Sequence, residues 1–130
     1  MENNNVNDMT NMAAEPRVRY GLLHNHTENS LRDSAMSVET LVARAKELGA
    51  PAVALTDHGV MTGYINFVRC CEANDIKPIL GVEFYVEEES EGRKHLIVMA
   101  KNKEGFQALI KAVSETNLRP GMSGACVRQR

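Results

Sequence analysis

The 130-residue sequence has no tryptophan, few aromatic residues and almost no net charge. It has no stretch of 18 consecutive apolar residues, which excludes a transmembrane helix. The N-terminus lacks the basic and apolar regions of a secretory signal, so we expect a cytoplasmic protein. The net charge of −2 gives no general attraction for nucleic acids or anionic membranes, although a local basic patch is compatible with it.

Cysteine is also scarce, and the spacing of the cysteines predicts neither a disulfide nor a zinc site. The three cysteines are Cys70, Cys71 and Cys126. Two adjacent thiols and one distant thiol form neither a disulfide framework nor a Cys-x-x-Cys zinc motif. We therefore expect reduced thiols.

Composition divides the chain into a central region and two ends. Residues 1–16 contain five asparagines and no basic residue, and they show no apolar period, which predicts a disordered leader. Residues 119–130 contain three arginines and no acidic residue, and they lose the apolar period, which predicts a basic tail. Residues 17–118 are long enough for one folded unit.

Apolar periodicity predicts the element order β-α-β-α-β-β-α within this central region. The predicted strands cover 18–26, 51–56, 77–86 and 94–100, and 87–93 is a charged turn. The first helix is capped by Ser37, and its apolar stripe is Val38, Leu41, Val42, Ala45 and Leu48. The other helices cover 61–74 and 105–118, with predicted inward residues Ile65, Val68, Cys70 or Cys71, Phe106, Leu109, Ile110 and Val113. This alternation predicts an α/β fold with a largely parallel sheet, and ligands gather at the carboxyl ends of such strands.

Two histidines end the first predicted strand. His24 and His26 are two positions apart, so their imidazoles point to the same face of a strand and could share one cation. Alternatively, one is exposed and the other is satisfied by a backbone carbonyl. Asp33 follows in the next loop, within reach of both histidines, although a loop aspartate is usually a turn or cap residue.

The next two predicted strands add a histidine and two carboxylates. Asp57 and His58 follow the second strand, where a loop with a helix cap is the alternative. Glu83 lies inside an apolar strand, where burial is costly unless the carboxylate is paired or bound to metal; an edge strand facing water is the alternative. Gly81 fits a space kept clear beside that carboxylate.

The fourth histidine, His95, begins the last predicted strand and could equally be a surface residue beside a hairpin. Imidazole together with carboxylate suits Zn²⁺, Mn²⁺ or Fe rather than Ca²⁺ or Mg²⁺. Paired metals activate water and stabilise the attacking and leaving oxygens of a phosphoester. Metal-assisted phosphoester hydrolysis is therefore the expected reaction class.

Three segments, HNHTE with SLRD, LTDHG, and KPILGVE, resemble the polymerase and histidinol phosphatase (PHP) domain family. The resemblance covers residues 18–118 and is greatest to the branch at the N-terminus of bacterial replicative DNA polymerase III alpha subunits. It implies a distorted (βα)₇ barrel, present here in part, with up to three divalent metals, most commonly zinc or manganese. The implied metal ligands are His24, His26, Asp33, His58, Glu83 and His95, with Asp57 supporting a ligand from behind.

The resemblance also implies a function. Family members with an intact site cut DNA from 3′ to 5′, whereas members with a degraded site serve as a platform for the polymerase and its proofreading exonuclease. The implied partners are DNA, bound through the parent polymerase, and replisome subunits. The resemblance implies no association with a membrane. The later family ligands, a terminal Asp-x-His pair included, and the polymerase palm have no counterpart here. We therefore expect no polymerase activity and weak or absent hydrolysis from this fragment.

Two alternatives remain open at this point. One is a free-standing PHP phosphatase acting on a small phosphate ester, which the polymerase-like segments LVARAKELGAPAVALTDHG and HLIVMAKNKEGFQALIKAVS disfavour. The other is a non-catalytic scaffold for a polymerase or exonuclease, in which the histidines are relics.

Overall fold

The computed structural model describes residues 20–31, 33–88, 92–118 and 126–128, with only the main chain at 87–88 and 126–128. The predicted leader and most of the predicted tail lie outside these residues. The elements in chain order are helix α1 (Val38–Glu47), strand β1 (Ala52–Leu55), helix α2 (Tyr64–Ala73), strands β2 (Lys77–Glu88) and β3 (Gly92–Met99), helix α3 (Lys103–Asn117) and strand β4 (Cys126–Arg128). None of the helices in the described part of the chain is long and apolar enough to cross a bilayer.

Strand β2 is the centre of a four-stranded sheet. β1 runs parallel to its first four residues, from Lys77 to Leu80, and β4 runs parallel to its residues 85–87. β3 pairs with β2 in the antiparallel direction, from Gly81 opposite Met99 to the hairpin end. The mixed sheet confirms the predicted α/β class, and both pairings outside the hairpin are parallel.

Helix α1 follows the prediction closely. The Ser37 hydroxyl accepts a hydrogen bond from the Thr40 main-chain N–H, which satisfies one of the free donors of the first turn. Gly49 has a φ of 68°, a left-handed conformation that ends the helix at little cost. The buried face consists of Val38, Leu41, Val42 and Ala45, as predicted, with Leu48 partly buried.

Helices α2 and α3 bury somewhat different residues from those predicted. Phe67 is fully buried, and Ile65, two positions earlier, is 71% exposed. Two residues correspond to about 200° around a helix, so the two side chains point in opposite directions. In α3, Leu109 is buried in the core, and the next residue, Ile110, is 44% exposed. The predicted inward positions of Ile65 and Ile110 are therefore wrong.

The thiols of α2 behave as expected from the sequence. Cys71 is buried in the core beside Phe67, Cys70 is partly buried, and both are free. Burial raises the pKa of Cys71 to about 11. This thiol is therefore protonated and unreactive in the folded protein near neutral pH.

The first predicted strand is reduced to a single parallel bridge between Leu22 and Val53. The reason is the Asn25 side chain, whose Nδ2 donates to the carbonyl oxygens of Leu22 and Ala54 at 3.0 Å each. The main-chain N–H of Asn25 donates to the Thr56 hydroxyl at 2.9 Å. Main-chain hydrogen bonds still join Leu22 and Asn25 to this part of the chain, so side-chain hydrogen bonds replace only part of a regular ladder. The apolar pattern of the segment could not reveal this.

The predicted charged turn over 87–93 is shorter than expected. Glu87 and Glu88 extend β2, and Gly92 and Arg93 begin β3, while residues 89–91 lie outside the described residues. The register places the main chain of Glu87 opposite that of Arg93.

Candidate metal centre

Glu83 is the centre of a cluster of four imidazoles on one face of β2. Its carboxylate is fully buried, and its Oε2 lies 2.7 Å from His24 Nε2 and 2.9 Å from His26 Nε2. The two imidazole nitrogens are 3.0 Å apart. These three atoms therefore form one compact set of donors.

The other carboxylate oxygen of Glu83 faces a second set of donors. Its Oε1 contacts Nδ1 of His95 and lies 3.9 Å from Nδ1 of His58. In each triad, the three donor atoms lie within 4.8 Å of one another, close enough to hold a metal ion. We name His24, His26 and Glu83 the first triad, and His58, His95 and Glu83 the second triad.

Asp33 joins the cluster through His58. Its Oδ2 lies 3.0 Å from His58 Nε2, the imidazole nitrogen that faces away from Glu83. The Asp33 side chain is about half exposed, as expected at the mouth of a site. All six residues predicted as ligands are therefore brought together, although their role as ligands remains a prediction.

The orientation of Glu83 follows from the alternation of side chains along β2. Val82 and Phe84 are buried in the apolar core, so Glu83 points to the opposite face of the strand. Its main chain is also paired: its N–H donates to the Asp57 carbonyl at 3.1 Å, and its carbonyl accepts from the Gly59 N–H at 2.9 Å. The alternative of a glutamate facing water on an edge strand is therefore wrong.

Two glycines beside the cluster have different roles. Gly59 has a φ of 61°, which fits a tight turn directly after His58. A Cβ at Gly81 would lie 2.8 Å from Met99 Cγ and 2.9 Å from the Val98 carbonyl oxygen. Gly81 therefore allows β3 to approach closely, and the predicted clear space beside the Glu83 carboxylate is wrong.

Asp57 supports the cluster from behind through a hydroxyl. Its fully buried carboxylate accepts hydrogen bonds from the N–H and the hydroxyl of Thr27 at 2.6 and 2.8 Å, and from the Ser30 hydroxyl at 2.9 Å. The Ser30 oxygen in turn lies 3.1 Å from His26 Nδ1. The sequence analysis missed Thr27 and Ser30, because hydroxyl residues in a polar loop carry no periodic signal.

Tyr85 is a third residue that the sequence analysis missed. Its ring is nearly parallel to that of His58, with centroids 5.4 Å apart, and meets His95 edge-on at 4.9 Å. The guanidinium of Arg93 lies over the same ring at 5.9 Å. The signal was available, because Tyr85 is two positions after Glu83 and so shares its face of β2.

The electrostatics of the cluster favour a neutral His26 beside an ionised Glu83. Burial and the neighbouring His58 lower the pKa of His26. For Glu83, burial alone raises the pKa, but the hydrogen bond from His24 and the charges of His58 and His26 outweigh it and leave the pKa below its usual value. Neutral imidazole and carboxylate are the forms that bind metals.

The donor chemistry fits divalent transition metals. Imidazole nitrogen and carboxylate oxygen suit Zn²⁺, Mn²⁺ and Fe²⁺. In addition, His58 Nδ1 is buried without a hydrogen-bond partner among the described residues, although a buried polar nitrogen normally has one. A cation in the second triad would satisfy that nitrogen.

Comparison with known proteins finds DNA polymerase III alpha subunits that are similar to this chain. DNA polymerase III subunit alpha of Treponema pallidum (strain Nichols) is 45% identical over 104 residues, which cover 72% of this chain and 9% of the relative. The same subunit of Helicobacter pylori (strain ATCC 700392 / 26695) is 43% identical over 95 residues, covering 68% of this chain and 8% of the relative. The chain thus spans less than a tenth of the length of these relatives.

Solved structures show the same fold at lower identity. A Bifidobacterium adolescentis protein described as a metal-dependent phosphoesterase superposes with a TM-score of 0.59 at 24% identity, over 81% of this chain and 37% of that protein. An amidohydrolase from Chromobacterium violaceum gives 0.61 at 23% identity, over 74% of this chain and 32% of that protein. The family model of the PHP domain matches residues 23–128, which is most of the sequence. The chain therefore belongs to the PHP domain family.

Proposed function

We propose that this chain is the PHP region of a replicative DNA polymerase III alpha subunit and that its cluster is a divalent-metal site for phosphoester hydrolysis. The names of the relatives support the first part. The donor set supports the second part, with zinc or manganese as the expected metals. We further propose that the four-stranded sheet is part of a distorted (βα)₇ barrel, whose complete site takes up to three metals.

The observation that carries the proposal is the position of the Glu83 carboxylate. One oxygen belongs to the first triad and the other to the second, so a single buried side chain would serve two cations. An uncompensated carboxylate is costly to bury, and two bound cations would offset that cost. Asp33, which lies 3.0 Å from the far nitrogen of His58, would be a further ligand candidate at the mouth of the site.

The side chains of the cluster would prepare this site for a phosphoester. Metal ions bound as a pair activate water and stabilise the attacking and leaving oxygens of a phosphoester. Glu83 is fully buried, whereas His24 and His95 are each about half exposed. The carboxylate thus lies at the buried base of the site. The two half-exposed imidazoles lie on its solvent side, where a substrate would approach.

The proposed substrate is the 3′ end of a DNA strand, and the proposed partners are replisome subunits, the proofreading exonuclease among them. These follow from the relatives being replicative polymerase subunits. A polymerase of this kind acts in the bacterial cytoplasm, which is the location we propose. The basic patch that DNA binding needs could come from parts of the parent subunit outside this chain.

The experiment compares the wild-type chain with Glu83→Gln and with Glu72→Gln, a matched change at an exposed glutamate of α2. Each protein is equilibrated with Zn²⁺ or Mn²⁺, and its metal content is measured by elemental analysis. Hydrolysis is followed with a chromogenic phosphodiester and with a labelled single-stranded DNA. We expect about two metal ions per chain and weak metal-dependent hydrolysis in the wild type and in Glu72→Gln, and neither in Glu83→Gln.

Two results would contradict the proposal in different ways. A wild-type chain that takes up no metal, or a Glu83→Gln chain that takes up as much as the wild type, overturns the metal site. Metal uptake without hydrolysis of either substrate overturns the hydrolase and favours a scaffold that retains its metal centre.

A further inference from the structure

We propose that Ser30 is a positioning residue for the metal centre: its hydroxyl sets the tautomer of His26 and ties the first triad to the second. The inference rests on the proposed metal site and adds to it a residue that touches no metal. Ser30 is 1% exposed and lies in the loop between the first bridge and α1, beneath the imidazoles.

The first step concerns the single hydrogen of the hydroxyl. The Asp57 carboxylate is buried, and as a carboxylate it can only accept hydrogen bonds. Two of these donors belong to Thr27, and the third is the Ser30 hydroxyl at 2.9 Å. The hydrogen of Ser30 therefore points to Asp57.

The second step concerns the two remaining contacts of the same oxygen. Because its hydrogen is committed, the Ser30 oxygen can only accept from its other neighbours. One neighbour is the main-chain N–H of His58 at 3.0 Å, which is always a donor. The other is Nδ1 of His26 at 3.1 Å, and this contact favours the tautomer in which Nδ1 carries the hydrogen of the neutral ring.

The third step is the consequence for the first triad. A neutral imidazole protonated at Nδ1 has its lone pair on Nε2. That atom lies 2.9 Å from Glu83 Oε2, itself an acceptor, and 3.0 Å from His24 Nε2. The Asp57–Ser30–His26 chain thus aims a lone pair at the place where the first triad would hold its cation, and hydrogen bonding of this kind raises the basicity of a ligating histidine.

The same oxygen also reaches the second triad. It holds the main chain of His58, the residue that supplies the unpartnered Nδ1. His26 and His58 are further stacked on each other, with ring centroids 4.4 Å apart. Loss of one hydroxyl would therefore release a ring in one triad and the backbone of a ring in the other.

The test uses Ser30→Ala, with Ser34→Ala as the matched control and Ser30→Thr as the conservative variant. Ser34 lies in the same loop, and its hydroxyl donates to the main-chain carbonyl of His26 at 3.0 Å without touching the ring. Long-range ¹H–¹⁵N NMR of the metal-free chains at pH 8 reads the tautomer of each imidazole. Titration with Zn²⁺ alone and with Mn²⁺ alone gives the affinity and the number of ions bound.

We expect His26 to be protonated at Nδ1 in the wild type and in Ser34→Ala, and to become a mixture or the Nε2 form in Ser30→Ala. We expect Ser30→Ala to bind the metal of the first triad about 10- to 100-fold more weakly, the range measured for residues that support metal ligands. Ser30→Thr, which keeps the hydroxyl, should restore the Nδ1 form.

An Nε2-protonated His26 in the wild-type chain overturns the proposal, and this measurement needs no variant to fold. Unchanged tautomer and metal affinity in a folded Ser30→Ala chain also overturn it. If the wild-type chain binds no metal but shows the expected tautomer, the proposed function fails while the positioning role of Ser30 stands.

Discussion

His24 and His95 belong to different triads, so replacing them one at a time should remove one metal ion at a time. Glu83 belongs to both triads, and Glu83→Gln should remove both ions. A ligand present at 100 times its dissociation constant stabilises a folded protein by about 2.7 kcal/mol. The wild type should therefore gain about 5 kcal/mol from metal, His24→Ala and His95→Ala each about half of that, and Glu83→Gln close to nothing.

Thermal unfolding followed by circular dichroism measures this gain, because about 1 kcal/mol shifts the melting temperature of a domain of this size by roughly 4–8 °C. Each protein is melted in chelator and again with Mn²⁺ or Zn²⁺, and only the difference is compared. Effects of the substitution on the metal-free fold then cancel. Gln107→Ala, at an exposed position of α3, serves as the control and should gain as much as the wild type.

The reasoning would be refuted by either of two patterns. If His24→Ala loses the whole metal-dependent gain, the two triads are one site. If Glu83→Gln keeps half of the gain, its carboxylate does not serve both triads, and the geometry of its two oxygens has been misread.

Four further predictions concern the fold. Phe67→Ala should cost about 3–5 kcal/mol in urea unfolding, because the ring is fully buried. Ser37→Ala should cost about 1 kcal/mol in the same assay through loss of the α1 cap. Gly81→Ala should cost about 1–3 kcal/mol, since its Cβ would meet Met99 and the Val98 carbonyl, and an unchanged midpoint would contradict this. The Cys71 thiol, whose pKa is raised to about 11, should resist alkylation at pH 8 until the protein is unfolded, as peptide mass spectrometry can show.

Much of the candidate site could be predicted because its side chains follow simple rules. His24 and His26 are two positions apart, and Glu83 interrupts an apolar strand, so the sequence singles out all three, although His24 and His26 do not lie in a regular strand. His58 follows a buried strand, at the edge where ligands gather. The structure brings these residues together with Asp33 and His95, which occupy less distinctive positions in the sequence.

The rest depended on contacts between distant segments. The Ser30 hydroxyl donates a hydrogen bond to Asp57, which lies 27 positions later in the sequence. No local sequence pattern indicates this contact. The Asn25 side chain donates a hydrogen bond to the Ala54 carbonyl in place of part of a strand ladder. Only folding brings these two residues together. In α2, apolar residues lie on more than one face of the helix, and the structure buries the face that contains the large Phe67 ring.

The length of β2 has a consequence for how this sequence can change. The strand has twelve residues, and the core side chains of Val82 and Phe84 alternate along it with the central carboxylate of Glu83. One inserted or deleted residue between Leu80 and Glu83 would preserve the hydrogen-bonding capacity of the strand but would exchange its two faces. Val82 or Phe84 would then face the imidazoles. A single change of length in this strand would therefore remove the central carboxylate from the cluster.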